Sequence, residues 1–257
     1  MWQKYKFEEN KIYTAQIGST RLWVKKQDKI WLISSGKEEA RIQSTKGFEV
    51  INQLPEYVSW NQYIADKHTG FQLIPALPDR RIVVKPEVPF TILSGMSLGI
   101  LLKIPVWIQL YTSTLKPENL IFECATNGLS STWFGDPTNG ELSYELQSEI
   151  IQKLPESCSA DVAICPITIR NDSQTTLDFH RLLIDVNQLN IYGNSKLLCT
   201  NEVKVRFKGE EQNTEVQIVH GNPELAGDLK QVGYARTKTD KNLLKKSFYF
   251  IKSFTQY

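Results

Sequence analysis

No stretch of this 257-residue chain stays apolar for the roughly 20 residues that a bilayer-spanning helix needs. The best run, residues 100–110, is broken by Lys103, Pro105 and Gln109 and reads as buried strand. Residues 1–10 lack the apolar core of a secretory leader, so the expected location is the cytoplasm. Cysteine is sparse. Cys124, Cys158, Cys165 and Cys199 never form Cys-x-x-Cys, and in the cytoplasm they read as reduced thiols, several of them buried. Also missing are a P-loop (Gly135 and Gly140 are not followed by Lys-Ser/Thr), a Gly-x-Ser-x-Gly elbow and a Gly-x-Gly-x-x-Gly fingerprint. These absences leave no motif for nucleotide binding or for elbow-type hydrolysis. The net charge of +2 and a pI near 8.2 fall short of the basic balance of a dedicated nucleic-acid binder.

What the chain does have is alternation. Its length fits one or two domains, and 41% hydrophobic residues suffice for a real core. Residues 11–17 and 20–25 flank Gly18-Ser19 and predict a tight hairpin. A third strand is predicted over 29–34, with Trp23 and Trp31 filling a small core or a cross-strand pair. Pro55 and the spacing of Tyr57, Trp60 and Ile64 predict a short helix within 54–67. Residues 75–81, rich in proline and charge, mark the expected boundary between a small N-terminal β-subdomain (1–80) and a main body (81–257).

The main body reads as strand after strand: 82–84, 90–93, 98–102, 106–111, 120–126, 131–134 and 161–170. A polar turn at Asp172-Ser173-Gln174 leads into a strand over 177–186, then alternating strands over 201–208 and 213–219. Many short strands with Gly, Pro and Asn turns predict a mainly β fold, an antiparallel β-sandwich. Asp240 is placed to cap a C-terminal helix on which Leu244, Phe248 and Ile251 share one face.

The pair Pro86-x-x-Pro89, the long apolar strand pair and the aromatic-Gly-x-Pro-x-x-Gly turn at residues 134–140 together resemble the domain-of-unknown-function family 432. In that family a strand ending in Arg or Tyr follows the turn. Glu141-Leu142-Ser143-Tyr144 stands in that place here, and the Cys-Arg pair associated with that strand is absent. The resemblance spans residues 80 to 220 and implies an uncharacterised protein. Some relatives are associated with small-conductance mechanosensitive channels, which implies a membrane-associated partner protein.

The turn at residues 133–141 is the leading candidate site. Asp136, Asn139 and Glu141 offer oxygen ligands on a short loop beside Trp133. The spacing is not that of an EF-hand, and Asp, Asn, Gly and Pro build ordinary turns, so the plainer reading is structural and no metal is assigned. His68, His180 and His220 are too scattered to suggest a metal centre. His180, beside Asp178, could act as a base oriented by a carboxylate or as a ligand contact; the plainer reading is a half-exposed strand residue. Cys124 and Cys165 read as core, Cys158 as an inert loop thiol.

The leading reading is therefore a non-catalytic cytoplasmic binding or accessory module that engages another protein through its β-surface or its lysine-rich C-terminal helix. Its binding residues would be Trp133, Asp136, Asn139, Glu141 and His180, with no cofactor. The alternative is a carbohydrate-directed enzyme using paired carboxylates on one sheet face, with Trp107 and Trp133 stacking on sugar rings. Self-association through an uncovered edge strand is a third option.

Overall fold

A computed structural model describes residues 1–38, 46–65, 70–112, 114–135, 138, 140–209 and 214–237. It is mainly β, and among the described residues there is no α-helix, only three single-turn 3₁₀ segments. The chain divides into two compact units: Met1–Ala76, Pro105–Gly128 and Ser159–Asp161 form the first, and Leu77–Ile104, Leu129–Cys158 and Val162–Tyr257 the second.

In chain order, the first unit opens with β1 (Lys4–Lys6), β2 (Ile12–Ile17), β3 (Thr20–Gln27), β4 (Ile30–Lys37), β5 (Glu49–Ile51), β6 (Asn61–Ile64) and β7 (Gly70–Ala76). The second takes β8 (Ile82–Pro86), β9 (Phe90–Ile92) and β10 (Ser97–Pro105). The chain returns to the first unit for β11 (Trp107–Tyr111) and β12 (Leu120–Ala125). The rest belongs to the second: β13 (Ser130–Phe134), β14 (Glu141–Ser148), β15 (Val162–Asn171), β16 (Leu177–Phe179), β17 (Leu182–Ile184), β18 (Ile191–Gly193), β19 (Leu198–Thr200), β20 (Val203–Phe207), β21 (Glu215–Ile218) and β22 (Lys230–Gly233).

The first unit is a sandwich of two antiparallel sheets, β5-β2-β3-β4-β6 and β1-β7-β11-β12. Inward residues of both share one core: Ile17, Leu22 and Ile33 from one sheet, Phe71, Leu73 and Ile108 from the other. Trp31 joins the layers, its ring centroid 4.2 Å from that of Phe71 and 5.7 Å from that of Phe7. The predicted β2–β3 hairpin is present, with Ile17 opposite Thr20 and Gly18 at φ 60°, the positive φ that a two-residue turn needs at its first central position. The tip is tied down by side chains. Ser19 N donates to Asn127 Oδ1 at 3.2 Å, Thr20 Oγ1 to Ala125 O at 2.8 Å, and Asn127 Nδ2 to the buried Asp161 carboxylate at 2.7 Å.

Two expectations need correction, and a third, the placing of Trp23 and Trp31, holds in part. The described part of 54–67 is no helix: Val58 N bonds Pro55 O in a turn, and residues 61–64 are strand β6, paired with β4. Tyr57, Trp60 and Ile64 are spaced for a helix face, yet Tyr57 and Ile64 are exposed, so no core rewards a helix there. Trp23 and Trp31 are both core residues, but they point to opposite faces, because Trp31 pairs with Lys26, three residues along from Trp23. The strand over 177–186 is two strands broken at His180-Arg181; β16 pairs with β9 and β17 with β8. The C-terminal helix at 240–252 lies outside the described residues.

The second unit is not wholly antiparallel. Its largest sheet runs β21-β20-β15-β19-β18-β22, with β10 also pairing β15, and β15 is parallel to both β19 and β20. β15 is buried along almost its whole length, as a strand covered on both faces must be, and its near-continuous apolar run follows from that. β20 alternates buried and exposed residues, so its outer face is wet as the sequence predicts. A four-stranded sheet, β13-β14-β8-β17, carries the candidate site.

Candidate functional site

Strand β8 is apolar at Ile82, Val83 and Val84, all buried, which fits an inner strand with β14 on one side and β17 on the other. β14 runs parallel to it, with Tyr144 beside Ile82 and Leu146 beside Val84; β17 is antiparallel, with Ile184 beside Ile82. β13 folds back on β14 as a hairpin and pairs Trp133 with Leu142. Period-2 alternation then sorts the side chains onto two faces.

One face grades from apolar and closed to apolar and open. Ile184 and Ile82 are fully buried, Tyr144 is half-buried, and Leu142 and Trp133 are 48% and 54% exposed. The Arg80 guanidinium lies 5.5 Å from the centroid of the Tyr144 ring, a cation–π contact. The Tyr144 hydroxyl donates to Asp79 Oδ1 at 3.0 Å. Burial pushes this phenol above its ordinary pKa, and the Asp79 carboxylate adds to that against opposing Arg80 and Arg236, so Tyr144 is a neutral donor at physiological pH.

The other face carries charge. Arg81 Nη1 donates to both carboxylate oxygens of Glu141 at 3.2 Å, and its Nε lies 3.7 Å from Asp185 Oδ2. Asp185 is fixed in turn by Asn187 N at 3.3 Å and Gln188 Nε2 at 2.9 Å. Lys85 is paired with Glu145. The four groups are complementary because Arg81-x-Val83-x-Lys85 and Glu141-x-Ser143-x-Glu145 run side by side with the same period and opposite charge.

The geometry limits the chemistry. Glu141 and Glu145 are four residues apart on one strand, about 13 Å, wider than the roughly 5–9.5 Å that separates glycosidase carboxyl pairs. Glu141 and Asp185 do converge, but on one guanidinium, which fills the gap between them. Among the described residues no three His, Cys, Asp or Glu side chains converge in a way that could hold a metal ion. Burial pushes the Cys124, Cys165 and Cys199 thiols up to about 12, far from the thiolate form a nucleophile needs.

Of the residues singled out in the sequence, Trp133 and Glu141 lie on the same hairpin, on opposite faces, with Glu141 opposite Phe134. Asp136 and Asn139 lie outside the described residues. His180 is exposed at the bend before β17. Strand register puts it level with Pro86 and Ser148, six residues from the Leu142 row and so about 20 Å along the sheet from Trp133. The structure does not bring His180 to the turn. Sequence reasoning missed Arg81, Arg80 and Asp185. The two arginines read as part of a charged connection, whereas the complementary spacing of 81/85 against 141/145 was the signal available.

The chain belongs to the family described as protein of unknown function (DUF432), which it matches over residues 1–252. The match thus takes in the N-terminal unit as well as the stretch that carries the resemblance. No curated protein and no solved structure matches the chain. No helix among the described residues is long and apolar enough to cross a membrane.

Proposed function

We propose that this protein is a non-catalytic binding module that recognises another protein, in the cytoplasm or at the cytoplasmic side of a membrane, through its β13–β14 hairpin. The observation that carries the reading is the cross-strand pair Trp133–Leu142, exposed side by side at one edge of a sheet whose strand β8 is buried at Ile82, Val83 and Val84. Arg80 on Tyr144 flanks the pair. Trp, Tyr and Arg are the residues on which protein interfaces concentrate their binding energy, and an apolar centre rimmed by polar groups is the usual anatomy. β13 is also the last strand of its sheet among the described residues, so an extended segment could add to it. Asp79, which accepts from the Tyr144 hydroxyl, would supply a charged rim contact, whereas Glu141, held by Arg81, faces the other way.

The test is crosslinked affinity capture from the soluble and membrane fractions of the source organism. The wild-type chain is compared with Trp133→Ala/Leu142→Ser, and with Val50→Ser as a control for an exposed apolar residue of the other unit. A specific partner retained by wild type and control and lost by the double variant is the expected result. Equal retention by all three chains overturns the reading.

A second reading, a carbohydrate-directed enzyme, is favoured by the convergence of Glu141 and Asp185 on one face. It requires Arg81 to move out of the gap on substrate binding. Turnover of a glycan panel that disappears with Asp185→Asn would support it.

A further inference from the structure

We propose that Arg80 is the receptor for an oxyanion, a carboxylate or a phosphate, carried by the protein that docks on the β13–β14 hairpin. Placing the oxyanion on that partner rests on the partner-binding reading above; the oxyanion site itself does not.

The first observation is an unmet demand for an acceptor. Arg21 pairs with Glu38, Arg81 with Glu141 and Asp185, and Arg170 and Arg206 with Asp172, while Arg236 Nε bonds Leu77 O at 2.9 Å. Of the two remaining described arginines, Arg181 is exposed to water at the bend before β17, whereas Arg80 is partly buried. Among the described residues Arg80 has no hydrogen-bond or ion-pair partner, and its one contact is the Tyr144 ring, 5.5 Å away. A ring face is not a lone-pair acceptor, so the five N–H donors of this guanidinium are left to groups outside the fold. A guanidinium drawn partly out of water and left without an acceptor favours a ligand that brings two oxygens to its fork.

The second observation is pre-organisation. The neighbouring carboxylate does not close the site: Asp79 accepts from the Tyr144 hydroxyl at 3.0 Å and forms no ion pair with Arg80. The ring that carries the guanidinium is thus fixed at one end by its strand and at the other by Asp79. Part of the side-chain entropy that a freely moving arginine gives up on binding is already lost.

The third is charge. Two guanidiniums, Arg80 and Arg236, and a single carboxylate, Asp79, act on the Tyr144 phenol. The other carboxylates of this corner, Glu141 and Asp185, are held by Arg81 on the opposite face. Continued two residues, the β8–β14 register sets Arg80 level with Leu142, itself 48% exposed. An oxyanion on Arg80 therefore lies beside the apolar surface of the hairpin, and the partner presents an acidic or phosphorylated residue next to an apolar one.

The test uses the full chain. Inorganic phosphate and acetate are titrated at fixed ionic strength, with chloride as the background, while NMR follows the arginine Nε–H groups. The Arg80 signal should move along a saturable curve with phosphate or acetate, and Arg181 should stay still. The Tyr144 phenol gives a second readout. A bound anion cancels the lowering that Arg80 exerts, so the phenol midpoint should rise with phosphate in wild type and not in Arg80→Gln. An unmoved Arg80 signal overturns the site, and so does equal movement of Arg80 and Arg181, which is general ion screening. In partner capture, Arg80→Gln should weaken retention about tenfold or more, the scale of a charge-assisted hydrogen bond, Arg80→Lys less, and Arg181→Gln not at all. Unchanged signals from the other arginines report that each variant is folded. Phosphatase treatment of the lysate abolishes capture where the oxyanion is a phosphate and spares it where it is a carboxylate. Full retention of the partner by Arg80→Gln overturns the placing of the oxyanion on that partner. Retention by Trp133→Ala/Leu142→Ser while Arg80 still takes up phosphate removes the hairpin reading and leaves the oxyanion site standing.

Discussion

The two units solve the same problem, burying short strands, in different ways. The first takes its five-stranded sheet mostly from chain neighbours. β2, β3 and β4 follow one another as hairpins, and the core between the sheets is aromatic, with Phe7, Trp31 and Phe71 in mutual contact. The second brings together strands far apart in sequence. β8 lies beside β14 and β17, β15 beside β19 and β20, three of these pairings are parallel, and charge pairs occupy the outward faces. Local hairpins close cheaply, whereas remote pairings carry a loop-closure cost before any contact repays it. The comparison teaches that aromatic residues here have two distinct jobs. In the first unit they fill space between layers; at the β13–β14 hairpin of the second, one of them is left facing water.

That contrast is most sharply broken at its two tryptophans. Trp31 is fully buried, and its indole N–H reaches Ala65 O at 3.4 Å. Trp31→Ala should cost roughly 3–5 kcal/mol, the range for large-to-small changes in a packed core. Trp133→Ala, at a site 54% exposed, should cost well under half of that. Urea unfolding of both variants checks the pair; equal losses would mean that Trp133 is structural and would remove the basis for a hairpin interface. A smaller effect is expected at the tip of the first hairpin. A Cβ on Gly18 would sit 2.8 Å from Asp161 Oδ2 and 2.9 Å from Asn127 Nδ2, and the backbone there is left-handed. Gly18→Ala should cost about 2 kcal/mol, of which the positive φ alone supplies about 1–2. Asp161→Ala in the same chain should recover part of it by clearing the clash, and a double-mutant cycle reads that coupling. Additive losses would show that only backbone strain matters.

How far the sequence reached follows the same division. The β2–β3 hairpin was legible because alternation and a Gly-Ser turn are local signals, and β15 because ten residues of apolar strand admit little else. β18, β19 and β22, three or four residues each, were not, since so short a run carries no period. β6 was mistaken for helix because three aromatic or aliphatic residues happen to be spaced for one, while the pairing with β4 that decides the matter comes from a strand 30 residues away. At the candidate site Trp133 and Glu141 were legible as unusual residues in a turn. The partner of Glu141 was not: Arg81 is 60 residues distant, brought alongside by the parallel β8–β14 pairing, and Asp185 reaches the same guanidinium from the end of β17, which is antiparallel to β8.

The smallest expected effect sharpens the charged side of the comparison. Arg170 and Arg206 stand directly opposite each other on β15 and β20, a repulsive pairing by itself. Asp172 bridges them: Arg170 Nε lies 2.6 Å from one carboxylate oxygen and Arg206 Nη2 2.6 Å from the other. The hydrogen bond from Arg170, then that from Arg206, holds the Asp172 carboxyl below its ordinary value of 3.8. A folded-state value lower than the unfolded one means a contribution to stability that is complete above 3.8 and fades as pH falls from there through the folded value, with no effect near neutrality. Carbon-13 NMR titration of the Asp172 carboxyl should give a midpoint below 3.8 that moves up with Arg206→Gln and farther up with Arg170→Gln. A midpoint at the ordinary value in the wild-type chain would show that solvent screening cancels the pairing, and that the outer face of this sheet is held by its backbone ladder and not by its charges.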